Sequence, residues 1–268
     1  MAGIEKIHIN NGVANLTQGE HFIEFRDGNE SETTLNIEVN SETKLNVSEI
    51  KEYKSLTFNV KEGAHFVLTC QFSIINLLPI NINVNVYRNA SFEAYIAELS
   101  NCSLDVNLTI NLLEENASSS VKLASVSFKD FNKKINVNVN HLVSKTYGKV
   151  DCYGVCKDEG KLLFAGTSHI VNGAIKSKTQ QNARIMVFDE ASNGIAKPIL
   201  KIDENDIEAS HAAVVGKIND EHLFYLTSRG ISEAEAKHLI TMGYFNPIIS
   251  GFNDLYKEHI SSLIERRM

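Results

Sequence analysis

Histidine and cysteine are the side chains of this sequence that could bind a transition metal. His211 stands in the apolar segment Ala209–Val215, and Cys152 and Cys156 lie four positions apart. Imidazole and thiolate are both good ligands for iron. On an extended strand, residues four apart share a face and are separated by about 13 Å, at roughly 3.3 Å per residue. The two thiols therefore cannot hold one ion unless Tyr153–Gly154 bends the strand, and buried structural thiols are the simpler interpretation.

Two further histidines, His141 and His169, fall on strand-like segments. Histidines on strands usually face solvent or pack in a core, so ligation is the less favoured interpretation for both. Taken alone, His211 is also best explained as a core or interface histidine. The sequence contains no P-loop, dinucleotide-binding, nucleophile-elbow or His-Glu-x-x-His motif, so we expect any ATP to be bound by a partner.

The composition is that of an ordinary globular protein of 268 residues with a net charge of −7. Its basic residues are scattered, with a cluster at Arg266–Arg267, which argues against nucleic acid as the main partner. The four cysteines are too few and too scattered for a disulfide framework. There is no signal-peptide pattern and no apolar run near the ~20 residues of a membrane span, so we expect a cytoplasmic protein without membrane contact.

From about residue 33 to 189, apolar and polar residues alternate, which is typical of strands with one buried face. The alternation repeats, and each copy is followed by a step into a small residue. These steps are Gly63–Ala64, Asn89–Ala90 and Asn116–Ala117, which give a period of 26 to 27 residues. The next copy, at Lys145–Thr146, lacks the small residue, and Gly173–Ala174 restores it.

Such a period without intervening helices indicates a β-solenoid, in which each rung buries its apolar face against the next. Glycine or asparagine before a small residue suits a turn with positive φ. We expect the outward-facing asparagines to form side-chain ladders between rungs. The alternative is an antiparallel sandwich, but its hairpin signals, expected every ~8–12 residues, are few between residues 50 and 190.

The two ends of the chain depart from this pattern. Residues 1–32 contain short alternating segments and an Asp27–Gly28 turn, which predict antiparallel strands or a small cap. The predicted solenoid core covers residues 33–219, and a helical segment follows over residues 220–268. In it, Asp220–Leu226 predicts a helical turn, and a capping box at Ser232–Glu235 starts a helix that ends at Gly243. Pro247 opens another amphipathic helix, and the hairpin could cap the solenoid or dock a partner.

Several motifs together resemble the SufB/SufD family, the β-helical subunits of the SUF iron–sulfur cluster assembly machinery. The resemblance covers roughly residues 135–255. Its residues are Val139-Asn-His141, Phe164-Ala-Gly166, Gln181, Arg184 to Phe188, Pro198, Leu200, Ile202, Asp206, Ser210-His211, Ala213, Gly216 and Leu223-Phe-Tyr-Leu-Thr-Ser-Arg-Gly-Ile231.

The resemblance implies a mostly β protein, a right-handed parallel β-helix with a short C-terminal helical segment. It also implies a non-catalytic scaffold subunit that pairs with a SufB-type subunit, or with a second copy of itself, through the end of its β-helix. Its helical segment would dock a SufC ATPase, and a transient iron–sulfur cluster would be shared with the partner subunit. The docking residues expected from this resemblance are Arg229, Gly230, Glu233, Leu239, Tyr244 and Phe245.

His211 falls where SufD-type subunits carry an interface histidine, so the resemblance makes it the candidate iron or cluster ligand. The SufB-type scaffold cysteine and glutamate would lie at Ala183 and Ala212, and alanine supplies neither a thiol nor a carboxyl group. The chain is therefore closer to the SufD type, and Cys152 and Cys156 remain fallback ligands. The alternatives are a SufB-like homodimeric scaffold, a β-helix carbohydrate-active enzyme, and a purely structural solenoid.

Overall fold

The structure is a computed structural model, and it describes residues 12–25, 32–50, 55–72 and 79–268. Within these residues the chain forms sixteen strands followed by three helices. The strands are β1 (Val13–Leu16), β2 (Gly19–Phe25), β3 (Glu32–Ile37), β4 (Glu42–Ile50), β5 (Ser55–Val60), β6 (His65–Phe72), β7 (Ile80–Val86), β8 (Ser91–Glu98), β9 (Leu104–Leu112), β10 (Ser118–Ser127), β11 (Asn132–His141), β12 (Tyr147–Cys156), β13 (Lys161–Ile170), β14 (Lys178–Val187), β15 (Asn193–Ile202) and β16 (Glu208–Lys217); the helices are α1 (Asp220–Thr227), α2 (Glu233–Ile249) and α3 (Asp254–Glu265).

The strands build two eight-stranded sheets, one of the odd-numbered strands and one of the even-numbered strands. The chain changes sheet after every strand, so each odd–even pair makes one rung of a solenoid. Every strand pairing among the described residues is parallel. The predicted mostly β, parallel solenoid with C-terminal helices is therefore confirmed, and the antiparallel sandwich is wrong.

The interior of the solenoid is filled by every second residue of each strand. In the even sheet, one inward column has buried apolar residues on successive rungs: Leu45, Leu68, Ala94, Val121 and Val150. Neighbouring strands lie about 4.8 Å apart, so side chains of one column contact each other directly. A single rung could not bury its apolar face alone, which makes the stack the stable unit.

Asparagine ladders run along the outer face of the odd sheet, as the sequence predicts. In the longest ladder, each side-chain amide donates to the asparagine of the preceding rung at 2.9–3.1 Å. Its members are Asn15, Asn36, Asn59, Asn85, Asn111 and Asn140. Successive members are 21, 23, 26, 26 and 29 residues apart. The rungs thus lengthen toward the C-terminal end, and the predicted period holds for the middle of the solenoid.

The turns before the even strands use left-handed backbone, as predicted for Gly63, Asn89 and Asn116, whose φ angles are 68°, 52° and 61°. The strand register continues this position through Lys145 and Lys176, which both have φ 59°. The turn of this rung is longer and contains two left-handed residues: Gly173, with φ 88° and followed by the fully buried Ala174 as predicted, and Lys176, which the strand register aligns with Lys145. Lysine rarely adopts this conformation, so the sequence pattern carries no signal for it.

The described part of the N-terminal segment belongs to the solenoid. β1 pairs in parallel with β3, and β2 pairs in parallel with β4, so they form the first rung. The expectation of antiparallel strands is therefore wrong for residues 13–25. The alternating segment at residues 4–9 and the Asp27–Gly28 turn lie outside the described residues.

The C-terminal helices create a second core on the outer face of the even sheet. α2 packs across β8, β10 and β12, where outward-facing positions are apolar. The buried residues of this core are Ala97, Leu99, Ala124, Val126, Phe128, Val155, Phe245, Ile248, Ile249, Phe252, Ile260 and Ile264. The helices α2 and α3 thus share a core with the side of the solenoid, over its middle rungs.

The helix α2 runs without interruption through Gly243 and Pro247. The predicted helix end at Gly243 and the predicted helix start at Pro247 are therefore wrong. Proline inside a helix removes one backbone hydrogen bond. The burial of Phe245 and Ile248 against the sheet holds the helix in place on either side of it. The predicted N-cap is confirmed, because Ser232 Oγ accepts a hydrogen bond from the Glu235 backbone at 3.2 Å.

Candidate functional site

The C-terminal end of the solenoid is open. β15 and β16 are the last strands of the two sheets, and no further rung covers them in the described part of the chain. Val215 of β16 is 45% exposed, whereas Ile185, its in-register neighbour in the inward column, is 2% exposed. Ile202 of β15 is 37% exposed, whereas its neighbour Ile170 is 0% exposed. Exposed apolar surface of this kind is typical of interaction sites.

His211 lies on this open rung, in the inward column of Leu45 to Val150 described above. Its in-register neighbour on β14 is Gln181, which pairs in turn with Val150. The column is apolar over the five rungs from Leu45 to Val150, and Gln181 and His211 are polar positions at its C-terminal end; at its other end, Leu45 pairs with the buried His21. Gln181 is 4% exposed, and its amide is 2.6 Å from Ser168 Oγ. His211 itself is exposed, because nothing in the described part of the chain covers it.

The backbone of β16 offers an uninterrupted edge. Glu208 N donates to Ser177 O and Ile218 N donates to Val187 O, both at 3.1 Å. Since the bonding direction alternates along a strand, even-numbered residues face β14 and odd-numbered residues face outward. Another strand could therefore bond to the backbone N–H and C=O groups of the odd-numbered residues from 209 to 217, which include His211.

The edge of β15 is interrupted at its centre. Asn193 N donates to Gly160 O at 3.0 Å and Asp203 N donates to Ile170 O at 2.9 Å, so odd-numbered residues face β13. Even-numbered residues face outward, and Pro198 is one of them. Proline has no N–H, and its place in a sheet is the outer side of an edge strand. The two edges of the open end therefore differ, and β16 is the better one for strand addition.

The two fallback cysteines lie inside the solenoid on β12, and they are 5% and 0% exposed. Burial, together with the Asp151 carboxylate, raises the pKa of the Cys152 thiol to about 12. Burial also raises the pKa of the Cys156 thiol to about 12. The thiolate is the form that binds metal, so neither group is prepared to act as a ligand at neutral pH. Their surroundings fit the structural interpretation.

His141 and His169 face opposite sides of the odd sheet. His141 is buried, and its Nδ1 is 2.8 Å from Thr146 Oγ1. Burial lowers the pKa of His141 to about 4, so the ring is neutral at pH 7. His169 faces outward, with Nε2 2.8 Å from Asp203 Oδ2. The structure therefore does not bring these two histidines together.

Within residues 12–25, 32–50, 55–72 and 79–268, no three His, Cys, Asp or Glu side chains are grouped so that they could hold a metal ion. Ala183 lies beside Cys152 in one inward column and beside Ala213 of the open rung. Ala212 follows His211 on β16. His211 is thus not part of a group of three potential ligands in the described residues, and it does not make a complete cluster site by itself.

The residues expected to dock a partner fall into two groups. Phe245 is fully buried in the second core, and Tyr244 is half-buried with its ring 5.2 Å from that of Tyr153. Burial also raises the pKa of the Tyr244 hydroxyl. These two side chains stabilise the protein's own packing. The exposed group is Arg229, Gly230, Glu233 and Leu239.

The most exposed aromatic residues of the helical segment are on α1, and neither is among the docking residues expected from the sequence. Phe224 is 73% exposed and Tyr225 is 54% exposed, with the Arg229 guanidinium 4.4 Å from the Tyr225 ring centre. Their signal in the sequence was the Leu-Phe-Tyr-Leu run, in which apolar residues occupy all sides of a helix. Aromatic and arginine side chains are the usual anchors of protein interfaces.

A buried ion pair lies in the solenoid interior. Lys133 Nζ donates to both carboxylate oxygens of Glu98 and to Ser100 O, at 2.9–3.0 Å. Glu98 also accepts from Ser100 N at 2.8 Å and from Ser125 Oγ at 2.6 Å. Both charged side chains are fully buried, and burial lowers the pKa of Lys133 while Glu98 opposes that change. All three ammonium hydrogens have acceptors, so the site is structural.

Carboxylates at the turns have a structural role as well. Asp158 Oδ2 accepts from Lys129 N at 3.0 Å, and Asp189 Oδ2 accepts from Asp158 N at 2.7 Å. Each carboxylate thus caps the turn of the preceding rung. A β-helix carbohydrate-active enzyme needs two carboxyl groups that flank a substrate. These turn carboxylates are used by the backbone instead.

Comparison with known proteins gives the family. Residues 8–244 match the family model described as "SUF system FeS cluster assembly, SufBD core domain". The chain belongs to this family. The match covers the solenoid and extends into α2, so it includes the open rung and His211.

Individual relatives agree with this assignment. The chain is 33% identical over 164 residues to the iron–sulfur cluster assembly protein SufD of Bacillus subtilis, which is 60% of this chain and 37% of the relative. It is 27% identical over 154 residues to a SufBD family protein of Mycobacterium bovis, 58% of this chain and 18% of the relative. It is 26% identical over 194 residues to one of Staphylococcus epidermidis, 69% of this chain and 42% of the relative. Each match thus spans less than half of the relative.

None of the helices in the described part of the chain is long and apolar enough to cross a bilayer.

Proposed function

We propose that this chain is a SufD-like, non-catalytic subunit of the SUF iron–sulfur cluster assembly machinery, acting in the cytoplasm. It pairs through the open end of its solenoid with a SufB-type subunit and docks a SufC ATPase, which binds the nucleotide, on its helical segment. The family membership supports the assembly role. The open rung, with its exposed apolar side chains and free β16 edge, is the observation that carries the pairing.

Strand addition at β16 predicts a sharp difference between two adjacent proline variants. Ala213 has an outward-facing N–H, so Ala213→Pro removes a donor that only the partner uses. Ala212 has its N–H directed at β14, so Ala212→Pro breaks the protein's own sheet. We expect Ala213→Pro to keep its thermal stability within a few degrees and to lose pairing at least tenfold. Ala212→Pro should lose stability.

Light scattering after size exclusion measures the pairing. A heteromeric subunit is expected to gain a partner when the SufB-type protein is added. The alternative, a SufB-like homodimer, predicts that the purified chain is already dimeric, because a second copy presents the same free edge. If Ala213→Pro pairs as tightly as the wild type, β16 is not the interface.

The helical segment is proposed to dock the ATPase through α1 and the start of α2. Phe224, Tyr225, Arg229 and Leu239 are exposed there, near each other in the chain. We expect Phe224→Ser to reduce co-purification with a co-expressed SufC ATPase at least tenfold. Leu255→Ser is the matched control, since Leu255 is 75% exposed on α3. Equal recovery of the ATPase with both variants would contradict this surface, and no recovery with the wild type would contradict the whole proposal.

His211 is proposed to contribute one ligand to a cluster whose other ligands come from the partner subunit. The neutral imidazole is a good iron ligand. Anaerobic addition of iron and sulfide to the paired complex should give an absorbing cluster with the wild type and a much weaker signal with His211→Ala. His169→Ala, which removes an outward-facing histidine from the odd sheet, is the control. Equal cluster yields for His211→Ala and the wild type would support a purely structural solenoid.

A further inference from the structure

The side chains inside the solenoid become smaller toward its open end. In the even sheet, one inward column has on successive rungs Ile96, Leu123, Cys152, Ala183 and Ala213. In the odd sheet, a matching inward column has Ile82, Leu108, Val137, Gly166 and Pro198. Leucine and isoleucine thus give way to glycine, alanine and proline over the last rungs, although both sheets continue.

A cavity of about 20 Å³ lies between these two columns. It is one rung inside the open end, where Pro198 is the residue of the last rung that lines it. Most of its wall is apolar, and the residues on which its shape depends are Val137, Cys152, Phe164, Gly166, Ala183 and Pro198. Protein interiors are normally close-packed, so a void beside an uncovered rung is a space that a partner can fill.

The volume and the polarity of the cavity define what can fill it. About 20 Å³ exceeds the roughly 10–15 Å³ that a group of the size of a water molecule needs. A buried water also requires roughly two to four polar partners. No buried side-chain nitrogen or oxygen of the lining residues, all of which are described, lacks a hydrogen-bond partner. An apolar group of the size of a methyl group is therefore the fitting occupant.

The two amides of the lining are already used elsewhere. The Gln181 amide is 2.6 Å from Ser168 Oγ, and Asn182 Nδ2 donates to Asp151 Oδ1 at 2.7 Å. Burial and the Asp151 carboxylate raise the pKa of the Cys152 thiol to about 12, so this group is uncharged at pH 7. The lining thus offers no charge and no free hydrogen-bonding group to a polar ligand.

Gly166 keeps the space open from the odd sheet. A Cβ at this position would lie 3.0 Å from Val137 O and 3.2 Å from Gln181 Oε1, so a larger residue would have to displace its neighbours. The entrance from the open end passes Pro198 and Ala213, whose side chains are short. An occupant can therefore enter along the axis of the solenoid.

We propose that this cavity is a socket for the tip of one branched aliphatic side chain, which the SufB-type subunit inserts along the solenoid axis. This inference rests on the proposed function, because it names the chemistry by which that partner recognises the open end. Leucine, isoleucine and valine end in methyl groups that fit the space, whereas an aromatic ring is too large for it. Binding energy concentrates in well-packed pockets from which water is excluded, and the socket has this character.

Substitutions at Ala183 test the socket from the inside. Ala183 is 8% exposed, so it lies beneath the surface that a partner covers. Ala183→Val fills the cavity with methyl groups and should leave the melting temperature of the isolated chain at or above that of the wild type. The same variant should weaken pairing with the SufB-type subunit at least tenfold, measured by titration and light scattering. Ala183→Gly enlarges the cavity and should change the dissociation constant by less than twofold, and equal values for the two variants would overturn the socket.

Substitutions on β16 test the entrance and do not depend on packing in the core. Ala213 faces inward on the open rung and is exposed, so Ala213→Val narrows the entrance and should weaken pairing at least tenfold. Ala212→Val, on the outer face of the same strand, is the control and should pair within twofold of the wild type. Equal pairing of these two variants would also overturn the socket.

Failure of the proposed function gives a different result. If the wild type does not pair with the SufB-type subunit at all, the proposed function is contradicted. If the wild type is dimeric without that subunit and Ala183→Val dissociates it, the occupant is a side chain of a second copy, and the assignment to the SufB-type subunit is overturned.

Discussion

Removal of the positive charge from the buried Glu98–Lys133 pair should cost a large share of the protein's stability. Both side chains are fully buried, and Lys133 makes three hydrogen bonds. Lys133→Met leaves the Glu98 carboxylate in the interior with Ser100 N and Ser125 Oγ as its remaining donors. Loss of one partner of a buried pair costs about 3–5 kcal/mol. Arg267, which interacts favourably with Glu98, remains, so we expect about 3 kcal/mol, at the lower end of that range.

A second substitution tests whether the uncompensated charge is the cause. Adding Glu98→Gln to Lys133→Met removes the charge and keeps a carbonyl oxygen that can accept from Ser100 N. We expect the double variant to recover about 2 kcal/mol, because a neutral amide is far less costly to bury than a lone carboxylate. Lys134→Met is the control, since Lys134 is the adjacent residue and is exposed. Its effect should stay within about 0.5 kcal/mol.

Urea unfolding followed by circular dichroism at pH 7 measures these differences. In a thermal scan, ~3 kcal/mol corresponds to a fall of roughly 6–12 °C for a chain of this size. A Lys133→Met variant that is no less stable than Lys134→Met would refute a stabilising role for the buried pair. A double variant as unstable as Lys133→Met would refute the uncompensated charge as the cause, since the loss of stability would then come from lost packing.

Three further outcomes follow from the described contacts. The pKa of His141 is about 4 in the fold and ~6.5 when unfolded, so stability should fall by roughly 3 kcal/mol between pH 6.5 and 4, and acid unfolding of His141→Gln should show a weaker pH dependence. Asn85→Ala removes two hydrogen bonds of the asparagine ladder and should lower the free energy of unfolding in urea by about 1–2 kcal/mol. The loss should be smaller for Asn83→Ala, which lies in the neighbouring outward-facing column, where asparagine pairs with threonine. Cys152 and Cys156 should react with Ellman's reagent at pH 8 only after unfolding, and rapid labelling of the native protein would contradict their burial.

The parts of the fold predicted from the sequence are those that depend on local pattern. Alternation and a regular period identify the solenoid, and outward asparagines one period apart identify the ladders, because each rung repeats the environment of the last. The turn at Lys176 was missed because the stacked turns impose left-handed backbone there against the residue's own preference. The break predicted at Gly243 and Pro247 was wrong because packing on the sheet overrides local helix propensity.

The site divides in a similar way. The place of His211 on the last rung agrees with the motif that singled it out, and its role there stays a prediction. The Glu98–Lys133 pair carried no signal, since nothing in a single sequence shows which charges 35 positions apart share an interior. Phe224 and Phe245 both occur in apolar helical runs, and only the packing shows that one is exposed and the other is buried.

The position of α2 and α3 on the middle rungs affects the order in which the molecule can be completed during synthesis. A solenoid can grow rung by rung as the chain emerges, because each rung contacts only its neighbours. Here the outer face of β10 and β12 becomes covered only after Phe245 and Ile264 have been synthesised. The Leu99 carbonyl likewise gains its hydrogen bond only from Arg267, 168 positions later. Until then an apolar stripe of the nascent solenoid stays open to water, so chains that stop before α3 should aggregate or require a chaperone although all sixteen described strands are present.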